Sequence, residues 1–213
     1  MTVSLGAILL AGGRASRMDG AAKPLLVVGG GTLLARTLVA VRAAGADPIV
    51  IVGPRPDDET DHGPARWTRE DPPFAGPAAA IAAGLGRTDP RDDPEWTLVL
   101  ACDLASPDAA VPRLVTDLPL LPRDTDGLCL ADGTSRPQWL TGVYRTAALR
   151  RAAASRAEGW RDAPVHALLD DLAIAVVRVP DDVVLDVDTW EDLERARRLR
   201  GRTDHDAATE ESP

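Results

Sequence analysis

The chain of 213 residues carries 24 Lys and Arg against 33 Asp and Glu, a formal net charge of -9, and this acidic balance argues against a nucleic-acid partner. Its length suits one well-buried domain, and its 45% hydrophobic and 27% charged residues exclude a largely disordered chain. No apolar run approaches the roughly 18 residues of a membrane span, and no basic region with a secretory apolar core opens the chain, so a cytoplasmic protein without membrane contact is expected.

With only 3% aromatic residues, the core must be built mainly from Leu, Val, Ile and Ala, a composition that suits parallel strands covered on both faces. Val3 to Leu10 is a nearly continuous apolar run that stops at Gly12-Gly13, and it predicts a central buried strand. After a polar loop, Thr32 caps a helix whose apolar face recurs at Leu34, Leu38 and Val41, with Gly45 as its stop. Ile49 to Val52 reads as a second buried strand. A Pro/Asp-rich stretch from Pro54 to Pro64 leads past Trp67 and Glu70-Asp71 to the turn Pro72-Pro73 and an Ala-rich helix, Pro77 to Leu85. Thr97 to Ala101 is the next strand; it runs out at Asp103, and a helix follows Pro107. Strands alternating with helices in this way predict an α/β fold with a parallel, doubly wound sheet.

The second half changes character, because Leu128 to Ala131 and Trp139 to Tyr144 flank Asp132-Gly133, a turn signal that predicts an antiparallel hairpin excursion. Helices near Thr146 to Arg156 and Val165 to Leu169 precede a strand at Ile174 to Val179. Leu185-Asp186-Val187-Asp188-Thr189 then leads into a last helix, Trp190 to Leu199. The domain is read as residues 1–200. Residues 201–213, with Asp204, Asp206, Glu210 and Glu211, are read as an acidic, disordered tail. Cys102 and Cys129 lie in apolar runs without the spacing of a metal site or a disulfide framework.

In open parallel sheets ligands sit beyond the carboxyl ends of the strands, so residues just after Leu10, Val52 and Ala101, and those around Val187, should converge on one crevice. The loop Leu10-Ala11-Gly12-Gly13-Arg14-Ala15-Ser16-Arg17-Met18 sets two glycines where backbone N-H groups can approach an anion, with two arginines as further donors. Lys23-Pro24 adds a point charge able to return to the same phosphates. A turn with solvated basic residues fits the same loop about equally well, and with the P-loop pattern and the dinucleotide fingerprint both absent, a phosphate site here would be of another kind. Asp103, directly after its strand, stands where a magnesium ligand is usually found, although a lone Asp there also suits a helix cap. Asp186 and Asp188 share a face only if the backbone between them is extended. Asp188-Thr189 equally suits the N-cap of the last helix.

Together, Leu10-Ala-Gly-Gly-x-x-Ser-x-Arg-Met, Lys23-Pro24-Leu, Gly76-Pro77, Cys102-Asp103 and Asp186-Val-Asp-Thr resemble the nucleotidyltransferases of the molybdenum cofactor guanylyltransferase type, over residues 3 to 199. The resemblance implies a Rossmann-like sheet and Mg²⁺, with GTP as substrate. It implies guanylyl transfer to a molybdopterin-type phosphate acceptor with release of pyrophosphate. It assigns the nucleotide to Leu10, Ala11, Gly12, Gly13 and Lys23, with Asp71 near base or ribose, and it assigns magnesium to Asp103, aided by Asp188. Arg17 and Lys23 would neutralise the departing pyrophosphate. In three places the chain departs from the usual pattern: Asp19 replaces a Gly, Ala22 an Asp, and Gly53-Pro54 stands where an Asn often follows the second strand. The alternatives are a cytidylyltransferase of the same fold acting on a small phosphorylated acceptor and an inactive nucleotide-binding homologue.

Overall fold

The computed structural model describes residues 3–13, 16–56 and 62–210, with the side chains of Ser16 and of residues 202–210 outside the description. Arg14 and the end of the acidic segment, 211–213, lie outside the described residues. Among those described, the strands are β1 (Leu5–Leu10), β2 (Val27–Val28), β3 (Gly31–Thr32), β4 (Ile49–Val52), β5 (Arg66–Thr68), β6 (Trp96–Ala101), β7 (Gly127–Ala131), β8 (Pro137–Arg145) and β9 (Ile174–Arg178). The helices are α1 (Leu33–Ala43), α2 (Pro77–Leu85), α3 (Pro107–Val115), α4 (Thr146–Ala154), α5 (Val165–Leu169) and α6 (Trp190–Glu210).

Seven strands form one mixed sheet in the order β5-β4-β1-β6-β8-β7-β9. β1 pairs in parallel with β4 and β6, β4 with β5, and β7 with β9, whereas β8 runs antiparallel to both of its neighbours. β8 is therefore the one reversed strand of this sheet, and the expected hairpin is built into the sheet rather than standing off it. Its turn is longer than Asp132-Gly133 alone, spanning residues 132–136. The Asp132 carboxylate closes it by accepting from the Thr134 and Arg136 amides at 2.9 and 3.0 Å.

Both faces of the central strands β1, β4 and β6 are covered, which is why they read as continuous apolar runs, whereas the edge strand β9 exposes Val176 and Val177. Alternate residues serve opposite faces. Leu5, Ala7, Leu9, Ile49, Ile51, Leu98 and Leu100 pack with α1 and α3, while Ile8, Leu10, Val50, Val52 and Val99 pack with α2, α4 and α5. Leu9, Ile51, Leu98 and Leu100 are fully buried, and truncating any one of them to Ala would cost about 2–5 kcal/mol. A third, smaller cluster joins Met18, Val28, Leu33, Leu185, Val187, Leu193 and Ala196. It ties the loop after β1 to the segment before α6.

The last helix is longer than its apolar periodicity predicts. It continues beyond Leu199 to Glu210, so the boundary drawn at residue 200 falls inside it. Its start is a capping box: Thr189 Oγ1 accepts the Asp192 amide at 3.1 Å, and Asp192 Oδ2 accepts the Thr189 amide at 2.9 Å. Thr189, not Asp188, is the side-chain cap. No described helix is long and apolar enough to cross a membrane.

Candidate active site

The site forms at the carboxyl edge of the parallel strands. β1 is extended past Leu10 by two backbone bonds, Ala11 N-H to Val52 O (2.8 Å) and Cys102 N-H to Leu10 O (3.0 Å), so three neighbouring strand ends are held level. Gly12 and Gly13 then leave the sheet and are exposed. Gly13 has φ 149°, and a Cβ built there meets nothing within 4 Å, which leaves its backbone bare towards open space, as anion recognition requires. The opposite is true of Gly53, at the end of β4. Its φ is 153°, and a Cβ would fall 2.7 Å from the carbonyl carbon of Ala11. Glycine is enforced here by the approach of the two strand ends, a physical reason for the missing Asn.

The loop turns through Ser16–Met18, where buried Met18 is pegged into the third apolar cluster. Asp19 has φ 52° and Gly20 φ 77°. The Asp at a position usually held by Gly is thus accommodated in the left-handed region, which Asp tolerates better than most residues. A second turn, Lys23–Leu25, brings the chain back beneath the strand ends.

Lys23 is where the predicted residues meet. Its Nζ lies 3.4 Å from Asp103 Oδ2 and donates a hydrogen bond to Asp188 Oδ1. The segment carrying Asp188 is not a sheet strand. It is an extended stretch joined to residues 103–105 by an isolated bridge, with Val187 N-H to Asp103 O and Ala105 N-H to Leu185 O both at 2.8 Å. Extension lets Leu185 and Val187 enter the third cluster while Asp186 and Asp188 line the crevice.

This places three carboxylates beside one ammonium. Burial, countered by Lys23 but reinforced by Asp188, raises the Asp103 pKa above the usual carboxylate range. Burial first, then the charges of Asp103 and Asp188, lifts Asp186 to about 7. Burial alone would lower the pKa of Lys23, but the hydrogen bond to Asp188 and the charges of both carboxylates outweigh it and raise it. Three carboxylates against one ammonium are a donor set whose excess negative charge suits a cation. Among the described residues, no group of three or more His, Cys, Asp or Glu side chains is arranged to hold a metal. Two carboxylates completed by phosphates and waters are what magnesium commonly uses, and the Lys23 ammonium stands where both carboxylates attract positive charge.

The crevice has two adjoining lobes, of about 690 and 540 Å³. They share Gly12, Gly13, Lys23, Pro24, Phe74 and Asp103. The first also holds Ala11, Arg17, Arg55, Trp67 and Asp188; the second holds Leu10, Glu70, Gly76, Pro77, Arg136, Gln138, Trp139, Thr141 and Asp186. Of the residues singled out from the sequence, Leu10, Ala11, Gly12, Gly13, Arg17, Lys23, Asp103 and Asp188 therefore come together. Asp71 does not: it is exposed and lines neither lobe, whereas its neighbour Glu70 does. Cys102 and Cys129 are free and buried, and desolvation pushes the Cys129 thiol up to about 12. Arg136, Gln138, Trp139 and Thr141 escaped the sequence reading, which looked only beyond strand ends. The hairpin signal held the clue, because it returns the start of β8 to that same edge.

Residues 7–175 match the family described as MobA-like NTP transferase domain. The molybdenum cofactor guanylyltransferase of Bradyrhizobium sp. (strain ORS 278) is 30% identical, with 97% of this chain and 98% of the relative covered. A probable molybdenum cofactor guanylyltransferase from Synechococcus elongatus is 35% identical over 75% of this chain and 81% of its own. Among solved structures, the molybdopterin-guanine dinucleotide biosynthesis protein A of Archaeoglobus fulgidus superposes with a TM-score of 0.61 at 20% identity, covering 92% of this chain and 99% of that one. The 2-C-methyl-D-erythritol 4-phosphate cytidylyltransferase of Thermus thermophilus gives 0.61 at 21% identity, covering 93% and 98%. At such identities the structural likenesses establish the fold alone, a Rossmann-like sheet.

Proposed function

The chain belongs to the MobA-like NTP transferase family and is a nucleotidyltransferase; from that premise we infer that it transfers GMP from GTP to a molybdopterin-type molybdenum cofactor, with pyrophosphate leaving. The observation that carries the reading is the meeting of Lys23, Asp103 and Asp188 beside the bare backbone of Gly12 and Gly13. The guanylyl specificity rests on the relatives, which are named for that activity. The protein works as a cytoplasmic enzyme of cofactor biosynthesis.

The charges on the two lobes support a place for each substrate. Arg17 and Arg55 line the first lobe, with Lys23 and the glycine loop on the wall shared with the second, a cationic bank suited to a triphosphate. Arg136 stands on the second, where an anionic acceptor would approach. Asp103 and Asp188 would hold Mg²⁺, which when bound supplies positive charge to the triphosphate. Lys23, released from the two carboxylates, would then pair with phosphate oxygens and, with Arg17, neutralise charge growing on the pyrophosphate. A phosphate acceptor is already anionic near neutral pH, so the attack requires no general base. None of the three histidines is among the described residues lining the crevice.

GTP with Mg²⁺ should stabilise the purified protein against heat more than CTP, UTP or ATP at equal concentration. A ligand at a hundredfold excess over its Kd adds about 2.7 kcal/mol, so a weaker base gives a visibly smaller shift in Tm. If CTP gives the largest shift and GTP none, the guanylyl assignment is replaced by the cytidylyl one.

A further inference from the structure

Phe74 is the sole phenylalanine of the chain, and observations of different kinds meet at it. Its φ is 65°, in the left-handed region where a bulky L-side chain is strained and glycine is favoured. The Glu70 carboxylate, in a residue only 9% exposed, accepts the Phe74 amide at 2.9 Å, so a buried acid holds the strained residue in place. The Phe74 side chain gains little burial in return, being 42% exposed. It lines both lobes of the crevice, beside Lys23 and Asp103, and the Arg69 guanidinium lies over its ring, 5.2 Å from the centroid. Strain together with exposure is a poor bargain for folding, and such outliers cluster where ligands bind.

We propose that Phe74 is a substrate-contacting specificity residue whose ring, on the wall shared by the two lobes, is the stacking face for a planar heteroaromatic ring bound in the crevice. The proposal rests on the nucleotidyl-transfer reading, which supplies two such rings, the nucleobase and the pterin of the acceptor. Aromatic side chains favour offset stacking on flat π-systems, and a base stacked on one loses roughly tenfold or more in affinity when the ring is removed. Each lobe has a further indole on its lining, Trp67 in the first and Trp139 in the second, but of these three rings only that of Phe74 belongs to both.

The test is to measure Kd on the full-length protein for three probes: GTP, inorganic tripolyphosphate, which has no ring, and a free pterin, which has no phosphate. Phe74→Leu should weaken one ring-bearing probe about tenfold and leave tripolyphosphate unchanged, and Phe74→Tyr should restore the affinity. Loss with GTP identifies the nucleobase as the stacked ring; loss with the pterin identifies the acceptor. Phe74→Gly should show the same loss of binding while raising Tm, because glycine relieves the left-handed φ. A packing role predicts the reverse: Tm falls in both the Leu and Gly variants and ring affinity is unchanged, which overturns the proposal while leaving the transferase reading intact. If the wild-type protein binds none of the three probes, the transferase reading fails and the stacking role with it.

Discussion

The two banks of the crevice are built by opposite rules. On the loop bank, parallel β1, β4 and β6 deliver the residues just past their carboxyl ends: Gly12 and Gly13, Gly53, and Asp103. On the far bank, reversed β8 delivers its beginning, with Thr141 level with Leu100 of β6 and with Arg136, Gln138 and Trp139 before it. Paired strands stand behind both banks, β8 included, and the difference lies in the lead-out: glycine is enforced at Gly53 on the first. The second opens from a turn closed by the Asp132 side chain. On the proposed function, the residues for phosphate chemistry sit on the first bank, and the side chains that would choose an acceptor sit on the other. One fold can thus keep its reaction while its acceptor changes.

Substitutions on each bank should separate these roles. The largest effect is expected from Asp103→Asn, with kcat lowered by at least roughly 100-fold while the fold persists, the scale of losing a key transition-state stabiliser. Steady-state turnover at saturating magnesium and substrates checks it, and near wild-type kcat would take Asp103 out of the reaction. Next is Gly53→Ala, which drives a Cβ onto the Ala11 backbone and should cost about 2–3 kcal/mol of stability, read as a fall in the denaturation midpoint. An unchanged midpoint would mean that the strand ends are less tightly held than their spacing implies.

On the far bank, Arg136→Ala should raise the acceptor KM about tenfold, the equivalent of about 1.4 kcal/mol, and leave nucleotide affinity alone. Equal losses for both substrates would erase the distinction between the banks. The smallest effect concerns Asp186, where the pKa is raised to about 7 by burial and neighbouring carboxylates. The native state then holds a proton that the unfolded chain releases near the ordinary carboxylate pKa, so this group makes stability fall as pH rises towards 7 and stay low above it. In metal-free buffer, Asp186→Asn should raise Tm by a few degrees at pH 8 and not at pH 3.5. A Tm difference independent of pH would show that the titration of Asp186 is not its source.

How much of the fold and site is legible in the sequence depends on the range of the interaction involved. Continuous apolar runs mark β1, β4 and β6, because a strand buried on both faces must be apolar along its whole length. Gly12-Gly13 and Lys23 mark the candidate site, because close backbone approach and a nearby cation are local properties of a loop. Asp186 and Asp188 are visible as a pair, but their direction is not. It is set by the bridge between residues 103–105 and 185–187, a contact made across about 80 positions of chain. In the same way, sequence distinguishes neither Glu70 from Asp71 nor the strain at Phe74, since both depend on how the turn before α2 settles against the crevice. The order β6-β8-β7 is also beyond it. A hairpin signal says that two strands pair, but only packing of both faces decides which of them inserts beside β6, and that insertion puts Arg136 and Trp139 on the crevice. Sequence determined the chemistry on offer; tertiary structure decided which groups meet, because burial and charge act through space and not along the chain.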